Sequence, residues 1–189
     1  TIAGTGGIGK TRLAIHVTES HRHAHGTEIA FVDLSSLISQ DHVLGTLARA
    51  VGVPADLPDI LGAIVQRLTD RRVLLLIDNC EHVVDSLAQP IAGLLSVLPD
   101  LRVLATSREA LRVTGEYVFR LPALAIPQAE QLSLTQALHW PSVALLVERA
   151  KAAGAGAFNE SHGPLLAQLT PVVDGIPLAI ELVAARLGV

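Results

Sequence analysis

A chain of 189 residues and 19.9 kDa holds one full domain, or one domain and part of another. Half of it is hydrophobic and the mean hydropathy is +0.46, so a core can form; a net charge of −4 without a clustered basic footprint argues against nucleic-acid binding by this segment. One cysteine, Cys80, excludes a disulfide framework within the chain and fits a reducing, cytoplasmic setting, and no apolar run reaches the roughly 20 residues of a membrane span.

The sequence opens on Thr1 and contains no methionine, and it carries no secretory signal. It therefore reads as an internal piece of a longer protein. The low charged fraction of 17% predicts apolar surface covered by flanking domains. Ile2-Ala3 reads as the tail of a strand, followed by a helix from Lys10 to about His23. Glu28–Asp33 reads as a strand, with helices over Asp41–Val51 and Ile60–Thr69. Arg72–Asp78 is a continuous apolar run, which predicts a central parallel strand buried on both faces. A helix follows over Val84–Leu98, kinked or split at Pro90, then strands Leu101–Thr106 and Tyr117–Leu121. After Pro122 strand signals stop, and helices are expected over Ser142–Ala152, Pro164–Val173 and Pro177–Leu187. This alternation predicts an α/β core with a parallel sheet flanked by helices over 1–125, and a small helical subdomain over 126–189.

Gly4-Thr5-Gly6-Gly7-Ile8-Gly9-Lys10-Thr11 fits G-x-x-x-x-G-K-[ST] without a gap. Glycines let successive N–H groups turn inward and form a nest for phosphate oxygens. The helix opening at Lys10 adds the partial positive charge of its N-terminus. Lys10 is a cation able to reach the β and γ phosphates, and the Thr11 hydroxyl is the expected magnesium ligand. The motif needs a strand before it and a helix after it, and the reading above supplies both.

Two further elements follow. The apolar strand ending in Asp78 places a carboxylate where open α/β sheets bind ligands, suited to orienting magnesium. Asp78-Asn79 is also a good strand-ending turn pair. Thr106-Ser107-Arg108 ends the next strand. Arg108 could take phosphate in a bidentate grip or be a solvent-facing arginine capped by Glu109.

Together with Asp78-Asn79-Cys80-Glu81-His82, Ala105–Glu109 and Asp174-Gly175-Ile176-Pro177-Leu178, these motifs resemble the NB-ARC ATPases, of the signal-transduction (STAND) branch of P-loop NTPases. The bacterial LuxR- and SARP-type transcriptional regulators that carry this module are the nearest likeness. The resemblance spans nearly the whole chain. It implies an ATP or ADP site with Mg2+, lined by Gly4, Thr5, Gly6, Gly7, Ile8, Gly9, Lys10, Thr11 and Arg12. Lys10, Asp78 and Arg108 would be its working residues, with Thr11 and Asp78 at the metal. Asp78 would be the Walker B acid and Arg108 the γ-phosphate sensor. Pro177 would pack near adenine and ribose, making the helical subdomain a lid. Asn79 stands where strongly hydrolysing relatives carry a second acid, and Thr170–Val173 replaces a basic, cysteine-containing helix.

The reading that follows is a nucleotide-operated switch in a signalling or transcriptional regulator, with slow hydrolysis at most and homo-oligomerisation on activation. A metabolic P-loop kinase and a degenerate module kept for protein contacts are the alternatives. His21-Arg22-His23-Ala24-His25 reads as a polar helix end rather than a metal site, Cys80 as a small residue in a turn, and Trp140 as a packing anchor. Glu148-Arg149 reads as a solvated helix pair.

Overall fold

The computed structural model describes residues 1–37, 42–129 and 131–187. In chain order the elements are β1 (Ile2–Ala3), α1 (Lys10–His25), β2 (Glu28–Asp33), α2 (Val43–Ala50), α3 (Ile60–Leu68) and β3 (Val73–Asp78). Then come α4 (Val84–Val97), β4 (Leu101–Ser107), β5 (Phe119–Arg120), α5 (Leu134–Ala137), α6 (Pro141–Ala152), α7 (Gly163–Val172) and α8 (Pro177–Leu187). Contacts divide the chain into two compact units, one of Thr1–Thr5 with Lys10–Leu121 and one of Gly6–Gly9 with Pro122–Val189.

The first unit is built on a parallel sheet in the order β2-β3-β4-β1-β5. Residues Val73 to Ile77 of β3 are all buried, which explains the unbroken apolar run: helices cover both faces. Leu75 and Ile77 face a core completed by Leu47, Ile64, Leu87, Ile91 and Leu94. Leu76 points the other way, against Ile2 of β1 and Ala14 of α1. Each such aliphatic side chain contributes about 1.5–3 kcal/mol on burial. Register sets Ala3 opposite Ser107 and Ile77 opposite Ala105. Because the strands are parallel, β1, β3 and β4 all end at one edge of the sheet, where Gly4, Asp78 and Arg108 leave it.

Local expectations meet the structure at three places. β5 keeps two residues, since its ladder is only as long as β1: Phe119 N–H donates to Thr1 O and Leu121 N–H to Ala3 O, both at 2.8 Å. Tyr117 stays 81% exposed. Helix α4 runs through Pro90 as one helix. Helix α2 begins at Val43, and the expected start at Asp41 lies outside the described residues.

The second unit packs α6 and α8 with α7 around Val143, Leu146, Ala150, Leu166, Ile180 and Ala184. Trp140 packs against this core as expected. The short helix α5 is held by a reciprocal capping box, Ser133 with Gln136, and by the Glu160 carboxylate, which accepts Leu134 N–H at 2.9 Å. Arg149 does not pair with Glu148. Neighbouring residues point away from each other around a helix, and Arg149 Nε meets Glu181 Oε1 of α8 at 3.1 Å. Within this unit Leu178 N–H donates to Gly7 O at 3.1 Å.

Candidate nucleotide site

Buried Ile2 and Ala3 of β1 fix the loop's entry, and Gly4 N–H donates to Ser107 O at 3.2 Å. The loop then turns through Gly7 (φ 74°) and Gly9 (φ 100°), backbone that L side chains rarely adopt. The space beside Gly6 and Gly9 is open: a Cβ added at either meets no heavy atom within 4 Å. A run of glycine N–H groups followed directly by a helix N-terminus at Lys10 is the backbone chemistry that suits a phosphate. Ile8 is buried and anchors the loop, while Thr5 and Gly6 are exposed.

Lys10 is 9% exposed. Its ammonium donates to Gly4 O and Thr5 O, each at 3.0 Å, so the cation is held in the mouth of the loop by the loop's own carbonyls. Arg12 lies exposed in the first turn of α1.

The Thr11 hydroxyl meets the Asp78 carboxylate at 2.8 Å from Oδ1 and 3.0 Å from Oδ2. A hydroxyl and a carboxylate are hard oxygen donors of the kind magnesium prefers. Thr106 has a part that the sequence reading does not give it. Thr106 is 1% exposed, its hydroxyl donates to Asp78 Oδ1 at 2.5 Å, and it accepts Asn79 N–H at 3.0 Å. It therefore orients the acid rather than facing a phosphate. Asn79 adopts a left-handed conformation (φ 68°), which turns the chain so that Cys80 enters the core and Glu81 returns toward the strand ends.

Arg108 Nε pairs with Glu81 Oε1 at 3.2 Å. Glu109 instead pairs with Arg112 at 2.8 Å, so it does not cap Arg108. The Glu81 signal was present in the sequence as the acid three residues past Asp78, but the turn that brings it back is set by the backbone at Asn79. Pro177 occupies the first turn of α8 in the second unit. The histidines lie on α1, which runs to His25; among the described residues no group of three or more His, Cys, Asp or Glu could hold a metal. Burial pushes the Cys80 thiol up to about 12, with Asp78 and Glu81 adding to the shift. Among the described residues no helix is long and apolar enough to cross a membrane.

A glycine loop between a buried parallel strand and a helix, a lysine in its mouth and a hydroxyl–carboxylate pair beside it define a P-loop nucleotide-binding module. The chain belongs to the AAA domain family, which it matches over residues 1–114. It is 36% identical over 189 residues to a protein of Mycobacterium tuberculosis named as an HTH-type transcriptional regulator, covering 98% of this chain and 20% of that one. It is 31% identical over 141 residues to the regulatory protein AfsR of Streptomyces griseus, covering 69% of this chain and 14% of the relative. The chain thus spans about a fifth or less of the length of these regulators. Among solved structures, a STAND protein with a tetratricopeptide repeat sensor from Pyrococcus horikoshii superposes with a TM-score of 0.55 at 16% identity, covering 97% of this chain and 26% of that one. Cdc6p from Pyrobaculum aerophilum superposes with a TM-score of 0.51 at 16% identity, covering 80% of this chain and 42% of that one. The parallel sheet flanked by helices is the fold of both.

Proposed function

We propose that the chain is the ATP/ADP-binding switch of a multidomain transcriptional or signalling regulator. The observation that carries this reading is the meeting of Thr11, which closes the glycine motif, with Asp78 at 2.8 Å. Residues Gly4 to Thr11, with Arg12 at the helix start, would hold the phosphates. Thr11 and Asp78 would hold Mg2+, which supplies charge neutralisation between the phosphates when bound. Lys10 would exchange its two carbonyl contacts for phosphate oxygens, and Arg108 would take the γ-phosphate. Pro177 would lie near adenine and ribose, with the region after residue 125 acting as a lid. The similar regulators support the output as transcriptional and delivered by other domains; a cytoplasmic setting and self-association on activation belong to the same reading.

Rapid turnover does not fit. The amide of Asn79, directly after Asp78, is no proton acceptor comparable to a carboxylate. A module that retains nucleotide and hydrolyses it slowly is the better match. Against a contact-only module stands the complete set of Lys10, Thr11 and Asp78; against a metabolic kinase stands the family of regulators.

The test is nucleotide content. Protein purified without added nucleotide is acid-quenched, and the released material is chromatographed, with Lys10→Ala as control. Bound ADP in the native chain and none in the folded variant supports the reading. An empty native chain that also fails to bind magnesium-ATP or magnesium-ADP on titration overturns it.

A further inference from the structure

We infer that Glu81 competes with the nucleotide's terminal phosphate for Arg108, and so sets how strongly the site prefers a triphosphate over a diphosphate. The inference rests on the reading of Arg108 as the γ-phosphate ligand.

The pair is built to be displaced. Glu81 sits in the short turn Cys80–His82 after β3, and Arg108 directly follows β4. Strands β3 and β4 are neighbours, and Gly4 N–H is bonded to Ser107 O, so both charges stand at the sheet edge from which the phosphate loop departs. The contact joins Arg108 Nε to Glu81 Oε1 at 3.2 Å, with the arginine side chain 69% exposed and the glutamate side chain 19% exposed. Glu81 Oε2 is buried without a hydrogen-bond partner. A guanidinium fork engaging both carboxylate oxygens would be the strong arrangement; this pair uses one oxygen and leaves the other unmet. A single-oxygen contact with an arginine that is itself largely exposed is weak, whereas a phosphate offers Arg108 a bidentate partner of higher charge.

Two effects act in the same direction. The Glu81 charge occupies Arg108, and it also repels whichever ligand carries more negative charge at the strand ends. Both weigh against ATP more than against ADP, because the additional phosphate is the group that approaches this edge. Glu81 is a positioning residue here, acting through Arg108, and its effect is read in a ratio of affinities rather than in fold stability.

The experiment is calorimetric titration of the purified protein with magnesium-ATP and with magnesium-ADP. Three variants are compared: Glu81→Gln, Arg108→Ala and the double variant, each checked for native thermal unfolding. Glu81→Gln keeps the shape of the side chain and removes its charge. It is expected to raise the ratio of ATP to ADP affinity about threefold, the size of a weak ion pair, chiefly through tighter ATP. Arg108→Ala lowers the ratio, and adding Glu81→Gln to it raises the ratio by less than in the native background, since only the direct repulsion is then relieved. An unchanged or lowered ratio in Glu81→Gln, with Arg108→Ala still lowering it, overturns the competition while leaving the role of Arg108 intact. No change in Arg108→Ala overturns that role and the inference with it. If Glu81→Gln unfolds, Glu81→Ala is titrated against the same expectation.

Discussion

The hydroxyl of Thr106 on β4 lies 2.5 Å from Asp78 Oδ1 at the end of β3 and takes the Asn79 N–H at 3.0 Å. One buried side chain therefore fixes both the direction of the carboxylate and the left-handed turn that follows it. Replacing it with valine keeps the volume but removes both bonds. The Asn79 N–H is left without that acceptor, at a cost of about 1–3 kcal/mol. Urea unfolding of Thr106→Val should show this loss. A variant as stable as the native chain would mean that water replaces the hydroxyl without penalty.

Asp78→Asn tests the metal reading separately. The amide preserves shape and can still accept from Thr11, but it carries no charge for a divalent cation. In the native chain, chelating magnesium should weaken ATP binding. In Asp78→Asn that dependence should largely vanish, a change of about tenfold or more for loss of a ligating carboxylate. ATP titrations with and without EDTA decide it, and equal sensitivity in both proteins would remove Asp78 from the metal site.

What the sequence made legible follows from local chemistry. Lys10, Thr11 and Asp78 carry their meaning in residue type and in their position at strand ends, and the unbroken run Val73–Ile77 could only be a strand covered on both faces. Non-local partners were not legible. Glu81 reaches Arg108, and Arg149 reaches Glu181, across 27 and 32 positions of sequence respectively, where no periodicity points. Helix α5 is different: Ser133 and Gln136 have the spacing of a capping box, but a helix of four residues is too short to show an apolar period. The shortness of β5 was hidden because ladder length is set by its partner β1, not by the apolar character of Tyr117–Leu121.

Gly9 and Gly175 have similar backbone demands and should fail in different ways. Their φ angles are 100° and 64°, so alanine is strained at both, by roughly 1–2 kcal/mol. Beside Gly9 the space is open, whereas a Cβ on Gly175 runs into Leu124 O and lies 3.0 Å from Ile126 Cγ2. Gly9→Ala should stay folded and lose nucleotide, because its methyl would project into the open space beside the loop that is proposed to hold phosphate. Gly175→Ala should lose more stability than strain alone explains, because the Leu124 backbone that donates to Gly175 O at 3.0 Å has to move. Thermal unfolding and ADP titration of the two variants separate these outcomes, and equal losses of stability would show the clash at Gly175 to be relieved easily.

The Cys80 thiol gives a pH signature. It is fully buried, with Sγ 3.6 Å from Ile77 O, and burial raises its pKa from 9.0 to about 12. The unfolded chain therefore releases this proton at lower pH than the folded one does. The folded state binds more protons between those values, so stability is fully present below pH 9.0 and is lost as pH rises toward 12. Cys80→Ala removes this contribution, and its stability should fall less steeply over the same range in urea titrations. The same burial predicts that a thiol reagent at pH 8 labels the denatured chain and spares the native one, because the thiolate is the reacting form. Rapid labelling of native protein would show that the turn at Asn79 opens readily, and the orientation of Asp78 and Glu81 on either side of Cys80 would then be transient as well.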